Sequence, residues 1–328
     1  MVQHQGGGPM SLWGRLNRGE TEIDFVGNRR RWFTISAVLL VIALGSLGIR
    51  QLNLGIAFVG GLGMQAPNPV GADVPEIRNA LEAVGVEDAT IQLLDDGDAV
   101  RVATPVLDHA SENEAVDAFA SVTGSDRADI SIEAVGPSFG ALVARRALIA
   151  LGVFLGAVVL FISWRMEFKM AAAGLVALFH DLLITVGLYS LTGFPVTPAT
   201  VVAILVILGY SLYDTVVVFD KVQELVELEE KKPYSEIVNE AMNSVLARSL
   251  ATSLTSLLPV GSILFVGSFI LGASTLRDFA LALFVGIAAG TYSSIFVAAP
   301  LLAIWKEKEP DWQERAKKAS KRRKVGMR

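Results

Sequence analysis

One acidic residue stands where a bilayer would forbid it. The apolar run Thr197–Phe219 holds Asp214 inside it rather than at its edge, within the string GYSLYDTVVVFD. An ionised carboxylate near the bilayer centre costs roughly 2.5–3.5 kcal/mol on insertion scales, so a chain that keeps one uses it to move ions or pairs it with a cation. Arg248, in the first turns of the next apolar run, is the candidate cation. Burial disfavours a charged carboxylate and a neighbouring guanidinium favours it. Movement of Arg248 toward and away from Asp214 would therefore switch the acid between protonated and ionised forms. Access opening first to one side and then to the other would make that cycle transport, with about 2.3 kcal/mol released per charge moved through 100 mV.

Further polar residues share these runs. Tyr210, Ser211 and Asp214 fall on one helical face at i, i+1 and i+4, and Arg248, Thr252 and Thr255 form a stripe with Ser249, Ser253 and Ser256 alongside. His180 and Asp181 sit near the middle of another run, with Thr185 one turn later. A histidine beside an acid at that depth either relays protons or hydrogen-bonds across a helix pair. The serines and threonines also suit plain helix packing, as do Gly152/Gly156 and Gly286/Gly290 at GxxxG spacing. Proton or ion relay is thus expected at Asp214, Arg248, Asp181 and His180. A polar lining is expected at Tyr210, Ser211, Thr252 and Thr255.

Composition sets the solvent. Of 328 residues, 52% are hydrophobic and 19% charged, and the mean hydropathy is +0.50, the balance of a membrane protein. Cysteine is absent, which excludes disulfides, thiolate metal sites and a cysteine nucleophile. The histidines His4, His109 and His180 offer no pair at ligand spacing, so no metal is expected. No GxxxxGK[ST] occurs, and the glycines of FVGGLG precede Gln65, Ala66 and Pro67 rather than a helix start. Neither a bound nucleotide nor any other cofactor is expected.

About six segments can span a ~30 Å hydrocarbon layer: Trp32–Ile49, Arg146–Trp164, Met170–Leu191, Thr197–Phe219, Leu250–Leu271 and Phe279–Trp305. The first is read as an uncleaved anchor, because it starts far into the chain and no small-x-small cleavage site follows. Basic residues mark one side: Arg15, Arg18 and Arg29–Arg31, then Arg165 and Lys169, then Lys221, Lys231 and Lys232, then the tail. The link Thr192–Val196 has none. Positive-inside then places both termini in the cytoplasm, with residues 1–31 and the basic tail 306–328 inside and Arg50–Arg145 extracytoplasmic. Trp32, Trp164 and Trp305 fall at the cytoplasmic helix ends. Beside spanning helices, such a tail marks topology and contact with membrane lipid rather than nucleic acid. Residues 32–49 form the first helix and 146–305 a five-helix membrane domain.

Residues 50–145 read as a small α+β domain. LNLGIAFVGGLGM reads as a strand, and VPEIRNALEAVG as an amphipathic helix with Ile77, Leu81 and Val84 in phase and Gly85 as its stop. ATIQLLD and AVRVATPV are strands joined through Asp95–Gly97, SENEAVDAFASVTG opens on an N-cap Ser111, and DISIEAV closes the set. The order β-α-β-β-α-β is that of a ferredoxin-like sandwich. The expected class is a polytopic α-helical membrane protein with six transmembrane helices and one ferredoxin-like extracytoplasmic domain.

Three strings, GYSLYDTVVVFDKVQE (209–224), NSVLARSLATSLTSLLPV (243–260) and GTYSSIFVAAPLL (290–302), resemble the SecF family of the protein-export machinery. The resemblance runs from the first helix to the sixth. It implies one half of a resistance-nodulation-division type assembly, paired with a SecD-like subunit beside the SecYEG translocon. It also implies use of the proton-motive force to promote export of unfolded polypeptides across the cytoplasmic (inner) membrane, with Asp214 and Arg248 at the family's ion-coupling positions. Such a subunit is a transporter part, not an enzyme. One departure stands out: LGIAFVGG carries Ala57 where the family's Asp-Phe-x-Gly-Gly string has its acid. Two other readings share the helices, a proton-coupled exporter half for small molecules and a structural membrane subunit without an ion path.

Overall fold

The computed structural model describes residues 21–94, 97–229, 231–267 and 274–326. Outside them lie Arg15 and Arg18, the hairpin residues Asp95 and Asp96, and the end of the expected run Leu250–Leu271. The chain begins with α1 (Arg29–Arg50) and a single turn α2 (Ile56–Val59), then β1 (Gly61–Pro67), α3 (Val74–Glu82), β2 (Thr90–Leu94), β3 (Ala99–Thr104), α4 (His109–Thr123) and β4 (Ser131–Val135). Five long helical segments complete the membrane part: α5 (Pro137–Arg165), α6 (Phe168–Thr192), α7 (Pro198–Leu228), α8 (Tyr234–Ser262) and α9 (Ser274–Ser293), the last joined through a π-helical stretch Ser294–Ala298 to α10 (Ala299–Lys306). A further helix, α11, covers Pro310–Gly326.

Six of these segments are long and apolar enough to cross a membrane. Buried positions make up 61% of the apolar window of α9–α10 but only 11% of that of α5, so α9–α10 is central and α5 peripheral. Local chemistry sets the ends. The Thr197 hydroxyl caps α7 by accepting from the Thr200 amide at 3.3 Å, with Pro198 at the first helical position. Gly193, at φ +74°, ends α6 in the left-handed region that favours glycine.

Between α1 and α5 the four strands lie in the order β2-β3-β1-β4, all antiparallel, which is the ferredoxin-like arrangement expected. Leu62, Met64, Val100 and Val102 on one sheet face bury against Ile77, Leu81, Val116 and Phe119 of α3 and α4. On the other face Gln92, Arg101 and Gln65 stand in register across three strands and look toward the membrane helices.

Three local expectations are corrected. The strand expected over 52–64 is broken: Ile56–Val59 is helical and β1 starts only at Gly61, because Gly60 and Gly61 both take positive φ. The residues before that turn bridge to the α6–α7 link instead, with Leu54 opposite Val196 in parallel. The cap of α4 is Asp108, not Ser111; its carboxylate accepts from the Ser111 amide at 2.9 Å, so the helix starts ahead of the serine. Helices α5 and α8 begin at Pro137 and Tyr234, well before Arg146 and Leu250. An apolar run marks the hydrocarbon layer, whereas a helix continues past it until a proline or cap stops it.

Candidate functional site

A layer of buried polar groups crosses the helix bundle where α6, α7, α8 and α9 meet. On α7, Ser211, Asp214 and Thr215 are buried at i, i+3 and i+4, between Ala203 and Ile207 on one side and Val218, Phe219 and Val222 on the other. Close approach makes the layer possible. A Cβ on Gly290 of α9 would lie 2.8 Å from the Cβ of Ser211, and one on Gly286 would collide with Ile207. Gly187 likewise seats α6 against Ala43 of α1, a contact no sequence pattern announced. Gly286 and Gly290 thus stand at a close helix approach, whereas Gly152 and Gly156 do not. The second pair is exposed on α5 with nothing near either position, since α5 is peripheral.

Asp181 of α6 is fully buried and surrounded by donors. Its Oδ2 accepts from the Ser211 hydroxyl at 2.5 Å and the Ser293 hydroxyl at 2.7 Å. Its Oδ1 lies 3.1 Å from Nδ1 of His180, and placing the ring proton on Nδ1 makes that a third donor. The imidazole stacks on Tyr292 at 6.1 Å between ring centres, and its Nε2 has no partner among the described residues. Tyr292 in turn donates to the Trp32 carbonyl at 2.9 Å, tying α1 to this cluster.

Asp214 is also buried, yet differently served. Ser249 of α8 donates to its Oδ1 at 2.8 Å, while Oδ2 is enclosed without a hydrogen-bond partner among the described residues. Around it, the Thr215 and Ser294 hydroxyls meet at 2.9 Å, and those of Ser253 and Thr291 at 2.6 Å. These hydroxyls link α7, α8 and α9 without a charge of their own.

The expected Asp214–Arg248 pair is not formed. Arg248 is exposed and its guanidinium donates to the Tyr213 hydroxyl at 3.3 Å. Successive helical residues point about 100° apart, and on α8 the inward row is Val245, Ser249 and Ser253. That leaves Arg248, Thr252 and Thr255 turned away. The two threonine hydroxyls return to carbonyls of their own helix, at Arg248 and Ser249 and at Ala251 and Thr252. Tyr210 is half-buried and packs in an apolar cluster with Ile207 and Leu283. Of the expected lining, only Ser211 reaches the acids. Thr215, Thr291, Ser293 and Ser294 were not anticipated; their signal was the placement of Ser293 and Ser294 three and four residues beyond Gly290, on the face that glycine brings close.

The α+β domain sits on one end of this bundle through polar contacts. Arg101 of β3 forms an ion pair with Asp278 of α9 at 3.2 Å, and Gln92 donates to the Gly193 carbonyl at 2.6 Å. Tyr189 donates to the Asp278 carbonyl, and Gly55 and Val196 exchange backbone bonds with the facing segment at 2.9 and 2.7 Å. A cavity of about 250 Å³ remains at this seam, lined by Ala57, Gln65, Arg101, Glu133, Thr197 and Asp278 among others. Ala57 thus occupies a seam position on the wall of this cavity.

Known proteins share this layout. Residues 115–308 match the family described as protein export membrane protein SecD/SecF, C-terminal. The protein translocase subunit SecF of Streptomyces coelicolor is 41% identical over 319 residues, covering 96% of this chain and 85% of that protein. A SecF of Mycobacterium tuberculosis is 36% identical over 97% of this chain and 75% of its own length. The crystal structure of SecDF from Thermus thermophilus, described as a translocon-associated membrane protein, superposes with a TM-score of 0.79 at 34% identity. That match covers 92% of this chain and 40% of the SecDF chain, so the present chain spans about two fifths of it. A SecDF structure in a super-membrane-facing form superposes less closely, with a TM-score of 0.64. With six spans, a buried acid on the fourth, a ferredoxin-like insertion after the first and relatives that align over nearly its whole length, this multi-pass membrane chain belongs to the SecD/SecF family, on its SecF branch.

Proposed function

We propose that this chain is a translocase subunit that uses the proton-motive force to promote export of unfolded polypeptides across the cytoplasmic membrane, with Asp214 as the group that takes up and releases the proton. One observation carries the reading: a buried carboxylate with one oxygen held by Ser249 and the other without a hydrogen-bond partner among the described residues, in a hydroxyl-lined layer. A group held on one side only can change protonation state without dismantling its surroundings. The names of its relatives, translocase subunits, support a part in protein transport rather than catalysis of a covalent step.

Asp181 and His180 form the second station of this reading, and helix α9 joins the two parts. It contacts Asp181 through Ser293, lies beside Asp214 through Thr291 and, just past its end, Ser294, and carries in its first turns Asp278, which Arg101 of the α+β domain grips. Rearrangement at Asp214 would move α9, and through Asp278 the domain. Fusion of the two halves in the Thermus SecDF supports a SecD-like partner, and exposed Arg248 would meet that partner or lipid. Positive-inside supports cytoplasmic termini and an extracytoplasmic α+β domain, with SecYEG and the emerging polypeptide as further partners.

The test is Asp214→Asn in proteoliposomes with its partners and an imposed proton gradient. Asn keeps the shape and the Ser249 hydrogen bond but cannot titrate. Gradient-driven export should fall to the level seen without a gradient, with insertion and partner binding intact. Export at the wild-type rate would sink the assignment.

A further inference from the structure

The last described helix follows directly on the last segment long and apolar enough to cross a membrane. Between Pro310 and Gly326 the sequence holds seven basic residues and two acids. Helix α11 begins only a short turn after Lys306, the final residue of the last spanning segment, so its charges cannot lie far from the lipid surface. That turn is fastened. Lys169 of α6 reaches both the Trp305 carbonyl at 2.8 Å and the Glu309 carboxylate at 2.9 Å, and Lys306 pairs with Glu167. Trp312 packs edge-on against Tyr234 at the start of α8, with ring centres 4.7 Å apart.

Two faces follow from this anchoring. Trp312, Arg315, Ala316 and Ala319 are half-buried at helical spacing, so α11 rests along the bundle rather than projecting from it. Lys317, Lys321 and Arg322 are exposed, and no ion pair neutralises Lys317 or Lys321 among the described residues. Arg323 and Lys324 extend the run in sequence. The two acids, Asp311 and Glu314, fall in the first turns, leaving the far end uniformly cationic.

We infer that the exposed face of α11 is a docking surface for the phosphate headgroups of anionic lipids in the leaflet beside it. Charge complementarity and depth favour that occupant over a nucleic acid. The cations are held close to headgroup level by a fixed turn, and juxtamembrane basic clusters draw anionic lipid within a Debye length of the surface. The surface holds the cytoplasmic end of the last span at constant depth, and so gives the motion at Asp214 a fixed base. Headgroup binding itself does not depend on the export reading: it would survive Asp214→Asn.

The absence of cysteine allows a clean test. Ser320→Cys places a single spin label on the exposed side of α11 in the full chain. The label is read in nanodiscs of phosphatidylcholine, with and without phosphatidylglycerol. Expected is a label at headgroup depth that loses mobility as phosphatidylglycerol rises, with the change reversed by high salt. Combined Lys317→Gln, Lys321→Gln and Arg322→Gln should weaken the response by about fivefold per cation. Identical spectra in the two lipids overturn the inference, and so does an undiminished response in the triple variant. Inorganic phosphate reproducing the change in phosphatidylcholine discs would assign a small-anion site instead. RNA displacing the helix from phosphatidylglycerol discs would assign a nucleic-acid surface. Either result also overturns it.

Discussion

Asp181 and Asp214 are both buried aspartates in neighbouring spanning helices, and they are solvated by the protein in opposite ways. Asp181 receives hydroxyls from two other helices and faces an imidazole, so both of its oxygens are engaged. Asp214 receives one hydroxyl and keeps one oxygen unengaged among the described residues. A fully satisfied buried polar group rigidifies its surroundings, and a half-satisfied one leaves an acceptor whose missing partner costs free energy. The comparison teaches that burial alone does not set how firmly a carboxylate is held; the number of donors that reach it does. Asp181 ties α6 to α7 and α9 through Ser211 and Ser293, and in the proposed function Asp214 is the group that titrates.

The largest expected effect tests the brace. Asp181→Val should leave the Ser211 and Ser293 hydroxyls and the His180 ring without their acceptor, at about 1–3 kcal/mol for each buried group left unpaired. Thermal unfolding in detergent should show a loss of about 3 kcal/mol or more, with Asp181→Asn much milder because it keeps an acceptor oxygen. Wild-type stability in Asp181→Val would break the distinction outright. Next comes Ser249→Ala, which removes the one hydrogen bond to Asp214. Stability should fall by about 1 kcal/mol, while the pH profile of gradient-driven export should shift, since Ser249 touches the titrating group directly. A profile unchanged in position would move the proton site elsewhere. The smallest effect sharpens the picture: Arg248→Gln should change stability by less than about 0.5 kcal/mol, as expected for an exposed side chain away from the buried network. A loss of several kcal/mol would revive the buried ion pair that the geometry does not form.

Much of the scaffold was legible because it follows from short-range rules. Apolar length announced all six spans, and the alternation and turn signals between Gly61 and Val135 announced the ferredoxin-like order. The errors were local and share a cause. A strand was read through Gly60 and Gly61 because their neighbours are apolar, although positive φ at both glycines turns the chain there. Spans are expected from Arg146 and Leu250, where the apolar runs open, although the helices α5 and α8 start at Pro137 and Tyr234.

The site divides in the same manner. Type and depth single out Asp214 and Asp181 from sequence, because few carboxylates tolerate that environment. Which hydroxyl meets which acid is a matter of helix rotation. A turn of about 100° separates Arg248 from Ser249, and only the fit of α8 against α7 and α9, through Ser249 to Asp214 and Ser253 to Thr291, decides which of them faces inward. By itself the sequence determined that six helices span, that a small α+β domain follows the first, and that two acids lie at lipid depth, since each rests on hydropathy and local propensity. The tertiary structure alone decided that Asp181 is braced, that Asp214 is half-free and that Arg248 turns outward. Those depend on the rotation and approach of helices distant in sequence, and such rotation is fixed by shape where the glycines let backbones meet.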